Sequence, residues 1–357
     1  MAARATRFDD AIQDYLKARK VGGYARNTLN NDRVILDHAQ GVIGNLLLHN
    51  ITDIHVREVM AKAGETRSAR TLNLNHACLR QFFNWAAETK RMPKHHNPMA
   101  GSRPPRFTIE ERRRVHISQF PALLDSAGHP RNRMLVALAL YLFSRSIEIT
   151  GIRLKDVSLQ DQTIRVTIGK LRNQVVTDDM PIASELDREL RDYLTWYSQK
   201  FPEMNPEWYL VPAITGYRFV SRGVREGGHM IPYRRLKRPS AVVNRCLQAI
   251  GFDVRSDDGS SLHEGMHTLR RSGARAYFDT LRNKGYDGAL RRVQALLHHK
   301  SLQMTEHYIG LDLDRLERNE AMKGEIMFPS LAATNVTKVD FEVRSRNGQA
   351  YPGGAGV

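Results

Sequence analysis

The stretch LLHHKSLQMTEHY, residues 296–308, joins two segments of helical period across a polar turn. The apolar spacing predicts helices at 288–298 and 302–309, so both histidines of the turn lie at a helix end. The simplest interpretation is that the histidines are polar caps and that Tyr308 is an ordinary core tyrosine. The stretch therefore predicts two helices joined by a turn. Whether its histidines and tyrosine have a function depends on the residues upstream.

Residues 263–271 read HEGMHTLRR and admit two functional interpretations. The first five letters match the H-E-x-x-H pattern of zinc hydrolases, in which both histidines bind the metal and Glu264 acts on a metal-bound water. Gly265 and the turn-like residues before the motif argue against a helix over all five positions. In the second interpretation, His267 and Arg270 lie together at a helix N-terminus, which already favours a phosphate.

The segment before that motif contains a predicted buried helix and a predicted β-hairpin. Residues 134–143 are apolar nearly all round, which indicates burial. Arg145 follows this helix directly and needs an anionic partner, for which Glu148 is the simplest choice. Further along, β-branched runs within residues 163–182 flank Lys170 at a hairpin tip, where a lysine is usually a solvated charge.

The other periodic segments make the predicted fold class mainly α with a small antiparallel β-sheet. Further helices are placed at 8–20, 27–36, from 53 onward, 68–85, from 108 onward, 185–199 with Ser184 as its cap, 240–250 and 268–282. Residues 100–106, AGSRPPR, have a linker composition. The basic, Gly-containing residues 217–239 show no clear period and predict a loop.

The composition bounds the class of protein. Of 357 residues, 54 are Lys or Arg and 38 are Asp or Glu, giving a formal charge of +16. This length predicts two domains, and the charge predicts a polyanionic partner. The longest nearly pure apolar run is about ten residues, whereas a membrane span needs about 20. Two cysteines are too few for a disulfide framework, and the first residues show no secretory signal, so a cytoplasmic protein is expected.

Taken together and in order, these motifs resemble the catalytic signature of the tyrosine recombinase (phage integrase) family. The motifs are R-x-x-E, the G-K hairpin, H-x-L-R and L-x-H-x-S-x-x-x-T-x-x-Y, and they supply the set Arg145, Lys170, His267, Arg270, His299 and Tyr308. The N-terminal region is similar to the family's core-binding domain at 27–30 and in the T-x-N…F-x-W-A run of 71–86. In three places the chain departs from the pattern. His298 stands where the family usually has Gly, and Phe143-Ser144 replace its Thr-Gly-Leu lead-in. The stretch between Arg270 and His299 is long, with residues 283–288 as an inserted turn.

The resemblance implies the domain organisation and the function. It implies a helical, SAM-like core-binding domain at 1–99, a linker at 100–107, a tyrosine-recombinase catalytic domain at 108–327 and a C-terminal tail at 328–357. The implied activity is site-specific cleavage and rejoining of double-stranded DNA through a 3′-phosphotyrosine and a Holliday junction, for integration or excision of a phage or other mobile element. A Xer-like dimer resolvase and, in another class, the zinc hydrolase of residues 263–267 are the alternatives.

The family pattern implies roles for three residues at the reacting bonds. Tyr308 would attack the scissile phosphodiester and hold the strand covalently. Because a phenol has a pKa of about 10, it needs a general base at pH 7, and His267 is assigned that role. Lys170 would protonate the leaving 5′ oxygen.

The remaining implied roles concern the phosphate, the duplex and assembly. Arg145 and Arg270 would clamp the non-bridging oxygens, and His299 would donate a further hydrogen bond to the phosphate. No metal or cofactor is implied. A homotetramer on DNA is implied, with a directionality factor as a further partner to consider, and the residues after Tyr308 are the candidates for contacts between protomers. The candidate DNA contacts are Arg67, Arg70, Arg80, Arg112 and Arg113.

Overall fold

The computed structural model describes residues 6–106, 113–171, 174–221, 224–255, 262 and 264–311, and at 170–171, 174–175, 217–221 and 224–227 only the backbone. The described chain forms two compact units. One takes its residues from Met1–Glu110 and Arg165–Asp179, and the other from Glu111–Ile164 and Met180–Val357. The domain boundaries expected from the sequence stay a prediction.

The described part of the first unit contains four α-helices, as predicted: α1 (Phe8–Val21), α2 (Arg26–Ile43), α3 (Asp53–Gly64) and α4 (Ala69–Glu88). Two of these helices begin where the sequence predicts, and each start is capped by a side chain. Ser68 Oγ accepts a hydrogen bond from the Thr71 backbone N–H at the start of α4, and the Thr52 backbone N–H donates to His55 Nδ1 at 3.1 Å at the start of α3. Helix α2 continues to Ile43, seven residues beyond the predicted end, because Leu36, Ala39 and Ile43 keep its apolar face in the core.

Aromatic rings form the centre of this unit. Phe8 packs edge-on against Phe82 with ring centroids 5.6 Å apart, and Tyr15 does the same at 5.4 Å. Phe8, Phe82 and Phe83 are completely buried. Edge-to-face pairs of this kind stabilise a core beyond their buried area by about 0.5–1.5 kcal/mol each.

A buried polar cluster lies beside these rings. Asp32 forms an ion pair with Arg19, with 2.8 Å between Oδ2 and Nε, and the Cys78 thiol donates to the same carboxylate at 3.6 Å. Burial first, and the Asp32 charge second, raise the pKa of Cys78 to about 12. The other cysteine, Cys246 in the second unit, is also buried, and burial raises its pKa as well.

The predicted linker packs on α4 for part of its length. Arg80 Nη2 donates to the Ser102 carbonyl oxygen, His76 Nε2 lies 2.9 Å from Ser102 Oγ, and Asn73 Nδ2 donates to the Pro105 carbonyl oxygen at 3.1 Å. One face of α4 therefore fixes residues 102–105 in the first unit.

The second unit is built around one buried helix, α6. Its helices are α5 (Phe120–Asp125), α6 (Pro130–Tyr141), α7 (Ser146–Ile149), α8 (Ser184–Lys200), α9 (Pro239–Ala249), α10 (Met266–Leu281), α11 (Tyr286–Leu297) and α12 (Leu302–Ile309). Residues 134–140 are all buried, which confirms the predicted buried helix. Helix α10 approaches α6 at Gly273, where an added Cβ would collide with the Leu140 carbonyl group.

Two helix predictions for this unit are wrong. Residues 113–116 are not helical, because the Val115 backbone N–H donates to Ser272 Oγ at 2.8 Å instead of to a helical carbonyl; the expected helical residues before 113 lie outside the described part. Ser184 is the first helical residue, and Ala183 occupies the cap position.

Two antiparallel sheets complete the described fold. The first has the order β1 (Val157–Ser158), β2 (Thr163–Leu171) and β3 (Gln174–Pro181), in agreement with the predicted hairpin. The second pairs β4 (Pro212–Ser221) with β5 (Val224–Arg235). The loop predicted at 217–239 is therefore wrong over most of its length, because the pairing carries register shifts that disturb the period of two.

Among the described helices, none has both the length and the apolar character needed to cross a bilayer.

Candidate active site

Arg145 and Glu148 are joined at the two ends of one short turn. Arg145 is the residue before α7, and its backbone N–H donates to Glu148 Oε2 at 2.5 Å. Its guanidinium Nη1 donates to Oε1 of the same carboxylate at 2.9 Å. The Glu148 side chain is only 1% exposed, whereas that of Arg145 is 38% exposed. The carboxylate therefore orients the arginine, whose side chain remains partly open to solvent.

Arg270 is buried and held by backbone carbonyl groups. Its Nε donates to the Phe143 carbonyl oxygen at 2.6 Å, and its Nη2 donates to the Leu297 carbonyl oxygen at 2.8 Å. An arginine has five N–H donors in a rigid plane, so these two bonds fix the orientation of the whole group. Burial lowers the pKa of Arg270, and the Arg145 charge acts in the same direction, while Tyr308 opposes them.

Tyr308 lies against both Arg270 and His299. The Arg270 Cζ atom lies 5.4 Å from the centre of the Tyr308 ring, and the His299 ring packs edge-on against the same ring at 5.1 Å. The Tyr308 hydroxyl donates to the His267 carbonyl oxygen at 3.4 Å. The phenol is therefore held at the N-terminus of α10, within the chain's own cluster of basic side chains.

His299 has an electrostatic environment that keeps its imidazole neutral. Burial, followed by the charges of Arg270 and Arg145, lowers the pKa of His299 to about 4. The ring Nδ1 lies 3.2 Å from Thr305 Oγ1, which fixes the ring against α12. When Nδ1 accepts from the Thr305 hydroxyl, the neutral imidazole carries its proton on Nε2, and this N–H is the group that can donate to a substrate.

A cavity of about 470 Å³ opens beside this cluster. Its walls include both Arg145 and His267, together with Ser146, Ile147, Thr150, Arg235, Leu236, Lys237 and Pro239. Arg235 and Lys237 were missed by the sequence interpretation, which treated their segment as a loop. The run of four basic residues within Arg234–Arg238 was the available signal.

The structure brings together Arg145, His267, Arg270, His299 and Tyr308 within the second unit. Lys170 lies on β2, where only the backbone is described. Arg112 and the residues from 312 onward, including those expected to contact other protomers, lie outside the described part.

The other candidate DNA contacts have varied environments. Arg70 is exposed and Arg67 is half-buried. Arg80 is engaged by the Ser102 carbonyl oxygen, as described above. Arg113 Nη1 donates to the Asp253 carbonyl oxygen at 2.6 Å, and its guanidinium lies over the Phe252 ring. Contact of these side chains with DNA stays a prediction.

The zinc hydrolase interpretation requires both motif histidines on one face of a helix, and the structure does not provide this. Helix α10 begins at Met266, and Gly265 has φ of 145°, so the five motif residues do not form one helical face. Glu264 accepts from the Thr268 hydroxyl and lies 3.9 Å from Arg271. In the described ranges, no group of three His, Cys, Asp or Glu side chains could hold a metal; His263 lies outside them.

Comparison with known proteins agrees with this geometry. The model of the phage integrase family matches residues 113–315. The tyrosine recombinase XerC of Chromobacterium violaceum is 25% identical over 317 residues, covering 87% of this chain and 93% of the relative.

Solved structures show the same fold. A lambda integrase dimer bound to a COC′ core site is similar with a TM-score of 0.63 at 16% identity, over 86% of this chain and 78% of that one. A lambda integrase tetramer bound to a Holliday junction is similar with a TM-score of 0.62 at 18% identity, over 83% and 78%. The match to the family model covers more than half of this chain. The chain therefore belongs to the phage integrase family, the tyrosine recombinases.

Proposed function

We propose that this tyrosine recombinase cleaves and rejoins double-stranded DNA at specific sites through a 3′-phosphotyrosine on Tyr308, and that it integrates or excises a phage or other mobile element. The observation that carries this proposal is the convergence of the Tyr308 phenol with the guanidinium of Arg270 and the imidazole of His299. The attacking phenolic oxygen and the phosphate both gain negative charge during the reaction. Basic groups around the phenol stabilise that charge, so the phenol can attack a phosphodiester.

In the proposed reaction, the Tyr308 oxygen attacks the scissile phosphorus, forms the phosphotyrosine bond and releases the 5′ oxygen of the next nucleotide. His267, an exposed residue in the first turn of α10, takes the phenolic proton, and Lys170 donates a proton to the leaving 5′ oxygen. The reverse attack by a 5′ hydroxyl on the phosphotyrosine rejoins a strand and restores the phenol. The bond energy is conserved in the covalent intermediate, so no external energy source is needed.

Arg145 and Arg270 stabilise the charge that develops on the non-bridging oxygens. Arg270 is suited to this role because its two backbone hydrogen bonds orient it before the substrate arrives. Arg145 is suited because its side chain remains 38% exposed and lines the cavity. His299 supplies a neutral hydrogen-bond donor to the same phosphate.

The proposed partner is duplex DNA, and the proposed assembly is a homotetramer passing through a Holliday junction. The net charge of +16 supports binding to phosphate backbones. The similar lambda integrase structures were solved on DNA, one of them as a tetramer on a Holliday junction. Such a protein would act in the cytoplasm of the cell that carries the DNA.

The test is covalent capture on a nicked attachment-site duplex that traps the cleaved strand. We expect the wild-type protein to form an adduct that denaturing gel electrophoresis and mass spectrometry locate on Tyr308. The Tyr308→Phe variant should bind the duplex with nearly unchanged affinity and form no adduct, because affinity comes from many backbone contacts. A persistent adduct in the Phe variant would refute the assignment.

The same assay separates the hydrolase alternative. The two-arginine clamp supplies the positive charge that a metal would supply, so cleavage should persist in excess EDTA. Loss of cleavage in EDTA that zinc restores would instead favour the residue 263–267 interpretation.

Resolution of chromosome dimers is the second candidate function. It is favoured by the match to XerC along 93% of that relative's length. Recombination on plasmids carrying either the host's dimer-resolution site or the element's attachment site distinguishes the two, because each function predicts activity on only one plasmid.

A further inference from the structure

Helix α7 is too short to hold its own position. It has four residues, Ser146–Ile149, and Arg145 occupies its N-cap position. A single helical turn is unstable in isolation, because nucleation fixes several dihedral angles for one hydrogen bond. Glu148 fixes the N-terminal end through its two bonds to Arg145. The C-terminal end of this turn therefore needs a separate anchor.

Arg235 is that anchor, and it comes from a distant part of the chain. Its Nε donates to the Thr150 carbonyl oxygen at 3.1 Å, and its Nη2 donates to Thr150 Oγ1 at 3.0 Å and to the Ile147 carbonyl oxygen. These two carbonyl groups lie at the end of the turn, where a helix presents unpaired acceptors and favours a cation. One guanidinium thus completes the hydrogen bonds that the short helix cannot make internally.

The local backbone is shaped for this approach. A Cβ at Gly151 would lie 3.3 Å from the carbonyl oxygens of Ile147 and Glu148 and 3.4 Å from Arg235 Nη2. A side chain at position 151 would therefore crowd both the turn and the guanidinium. Glycine at this position leaves space for the planar group against the helix end.

Arg235 is also the last residue of β5, so its backbone is fixed by the β4–β5 hairpin. It pairs with Pro212 at the base of that hairpin. The anchor and Arg145 line the same 470 Å³ cavity. The hairpin, the end of α7 and the proposed clamp arginine thus form one continuous set of contacts.

We propose that Arg235 is a positioning residue for Arg145, and that through it the β4–β5 hairpin sets the orientation of the clamp. This inference rests on the proposed function, in which Arg145 binds the reacting phosphate. Removal of Arg235 leaves the Thr150 carbonyl unpaired and leaves that of Ile147 with only a 3.5 Å bond from the Thr150 hydroxyl, which loosens α7 and moves Arg145 away from the reacting phosphate. The effect is therefore on strand cleavage and not on DNA affinity.

The kinetic test compares Arg235→Ala with Arg234→Ala. Arg234 is the exposed neighbour on the same strand, so the control removes the same charge without touching α7. We expect Arg235→Ala to slow single-turnover adduct formation about 10- to 100-fold, while the Kd for the site changes less than about threefold. Arg234→Ala should cleave within about threefold of the wild-type rate. Equal rates for the two variants, or a loss confined to Kd, would overturn the proposal.

Arg235→Lys tests whether geometry or charge matters. A lysine keeps the charge but lacks the planar fork that reaches two carbonyl groups and a hydroxyl. We expect it to be slowed nearly as much as the alanine variant and to retain the wild-type thermal unfolding midpoint more closely. Full rescue by lysine would show that only the charge matters and would contradict the positioning role.

Two further readouts tie the effect to Arg145. When Arg145 has already been replaced by Lys, adding Arg235→Ala should slow cleavage less than about threefold, because the residue that Arg235 positions is already altered. If Arg235→Ala slows the Arg145→Lys protein as much as it slows the wild type, the proposal is overturned. Hydrogen exchange of the amides of residues 149–151 should accelerate in Arg235→Ala and not in Arg234→Ala. If the wild-type protein forms no covalent adduct, the proposed function fails, whereas unchanged exchange in Arg235→Ala refutes the anchor itself.

Discussion

Arg270 Nε donates a 2.6 Å hydrogen bond to the carbonyl oxygen of Phe143, a residue 127 positions earlier in the chain whose backbone is left-handed, with φ of 53°. The second carbonyl bound to Arg270, that of Leu297, precedes His298, which is also left-handed with φ of 53°. Side chains at left-handed positions cost about 1–2 kcal/mol each. Both positions coincide with departures from the family's usual glycine-containing motifs, so this chain adopts left-handed backbone on both sides of Arg270 without a glycine.

Replacing His298 by Gly should stabilise the protein. Glycine relieves the left-handed strain, and the gain is partly offset by greater freedom of the unfolded chain, so the free energy of unfolding should rise by about 0.5–1 kcal/mol. Urea denaturation measures it. The control is His49→Gly in the 3₁₀ turn Leu48–Asn50, which should lower the stability. A similar loss in both variants would contradict the strain at 298.

Gly273 should tolerate no side chain. A Cβ there would lie 2.8 Å from the Leu140 carbonyl carbon and 3.1 Å from Phe143 Cε1. Because α10 and α6 must then separate, Gly273→Ala should cost about 3 kcal/mol or more in unfolding free energy. Gly288→Ala in α11 is the matched control, since no atom lies within 4 Å of its added Cβ. It should be neutral or stabilising, and equal thermal midpoints for the two variants would refute the close approach.

Glu148→Gln should impair cleavage more than binding. The amide keeps the shape of the buried side chain but loses the charge that holds both the backbone and the guanidinium of Arg145. A hydrogen bond to a charged group contributes about 1.5–3 kcal/mol, so adduct formation should slow roughly 10- to 100-fold. Glu203→Gln, at an exposed position, is the control. The prediction fails if DNA affinity and cleavage fall together in Glu148→Gln while the control is unaffected.

The neutral state of His299 should appear in the pH dependence of stability. Its pKa is about 4 in the folded protein against an ordinary value of 6.5. Between these values the unfolded chain binds more protons, so this residue makes stability rise with pH and fall as the pH drops from 6.5 towards 4. The slope of unfolding free energy against pH reports how many more protons the unfolded chain binds than the folded protein. In His299→Gln, this difference should be smaller by up to about one proton between pH 4 and 6.5, so the slope should be shallower. Parallel curves for the two proteins would show that the imidazole is not held neutral.

Much of the helical framework could be predicted because each helix carries its own signal. The apolar spacing of residues 8–20, the helix start near residue 68 and the apolar run of 134–143 act locally, and all three are confirmed. The β4–β5 hairpin could not be predicted in the same way. Its stability depends on pairing between Pro212–Ser221 and Val224–Arg235, and its register shifts disturb the alternation that would reveal a strand.

The site shows the same division between local and distant signals. The ion pair of Arg145 with Glu148 spans three positions and was predicted from the spacing, and the structure contains it. The bonds from Arg270 to Phe143 and Leu297 span 127 and 27 positions. Arg235 bonds to Thr150 across 85 positions. No local pattern encodes contacts between such distant residues, so sequence motifs identified the basic groups but not the carbonyl groups that orient them.

The burial of Cys78 and Cys246 makes the natural chain suitable for site-directed fluorescent labelling. With a pKa of about 12, Cys78 holds almost no thiolate at neutral pH, and burial raises the pKa of Cys246 in the same direction. Maleimide dyes react with the thiolate, so a cysteine introduced on the surface, with an ordinary pKa of about 8.5, would be modified much faster than either native thiol. Donor and acceptor dyes can therefore be attached to the folded protein without first removing its own cysteines, which opens assembly on DNA to single-molecule observation.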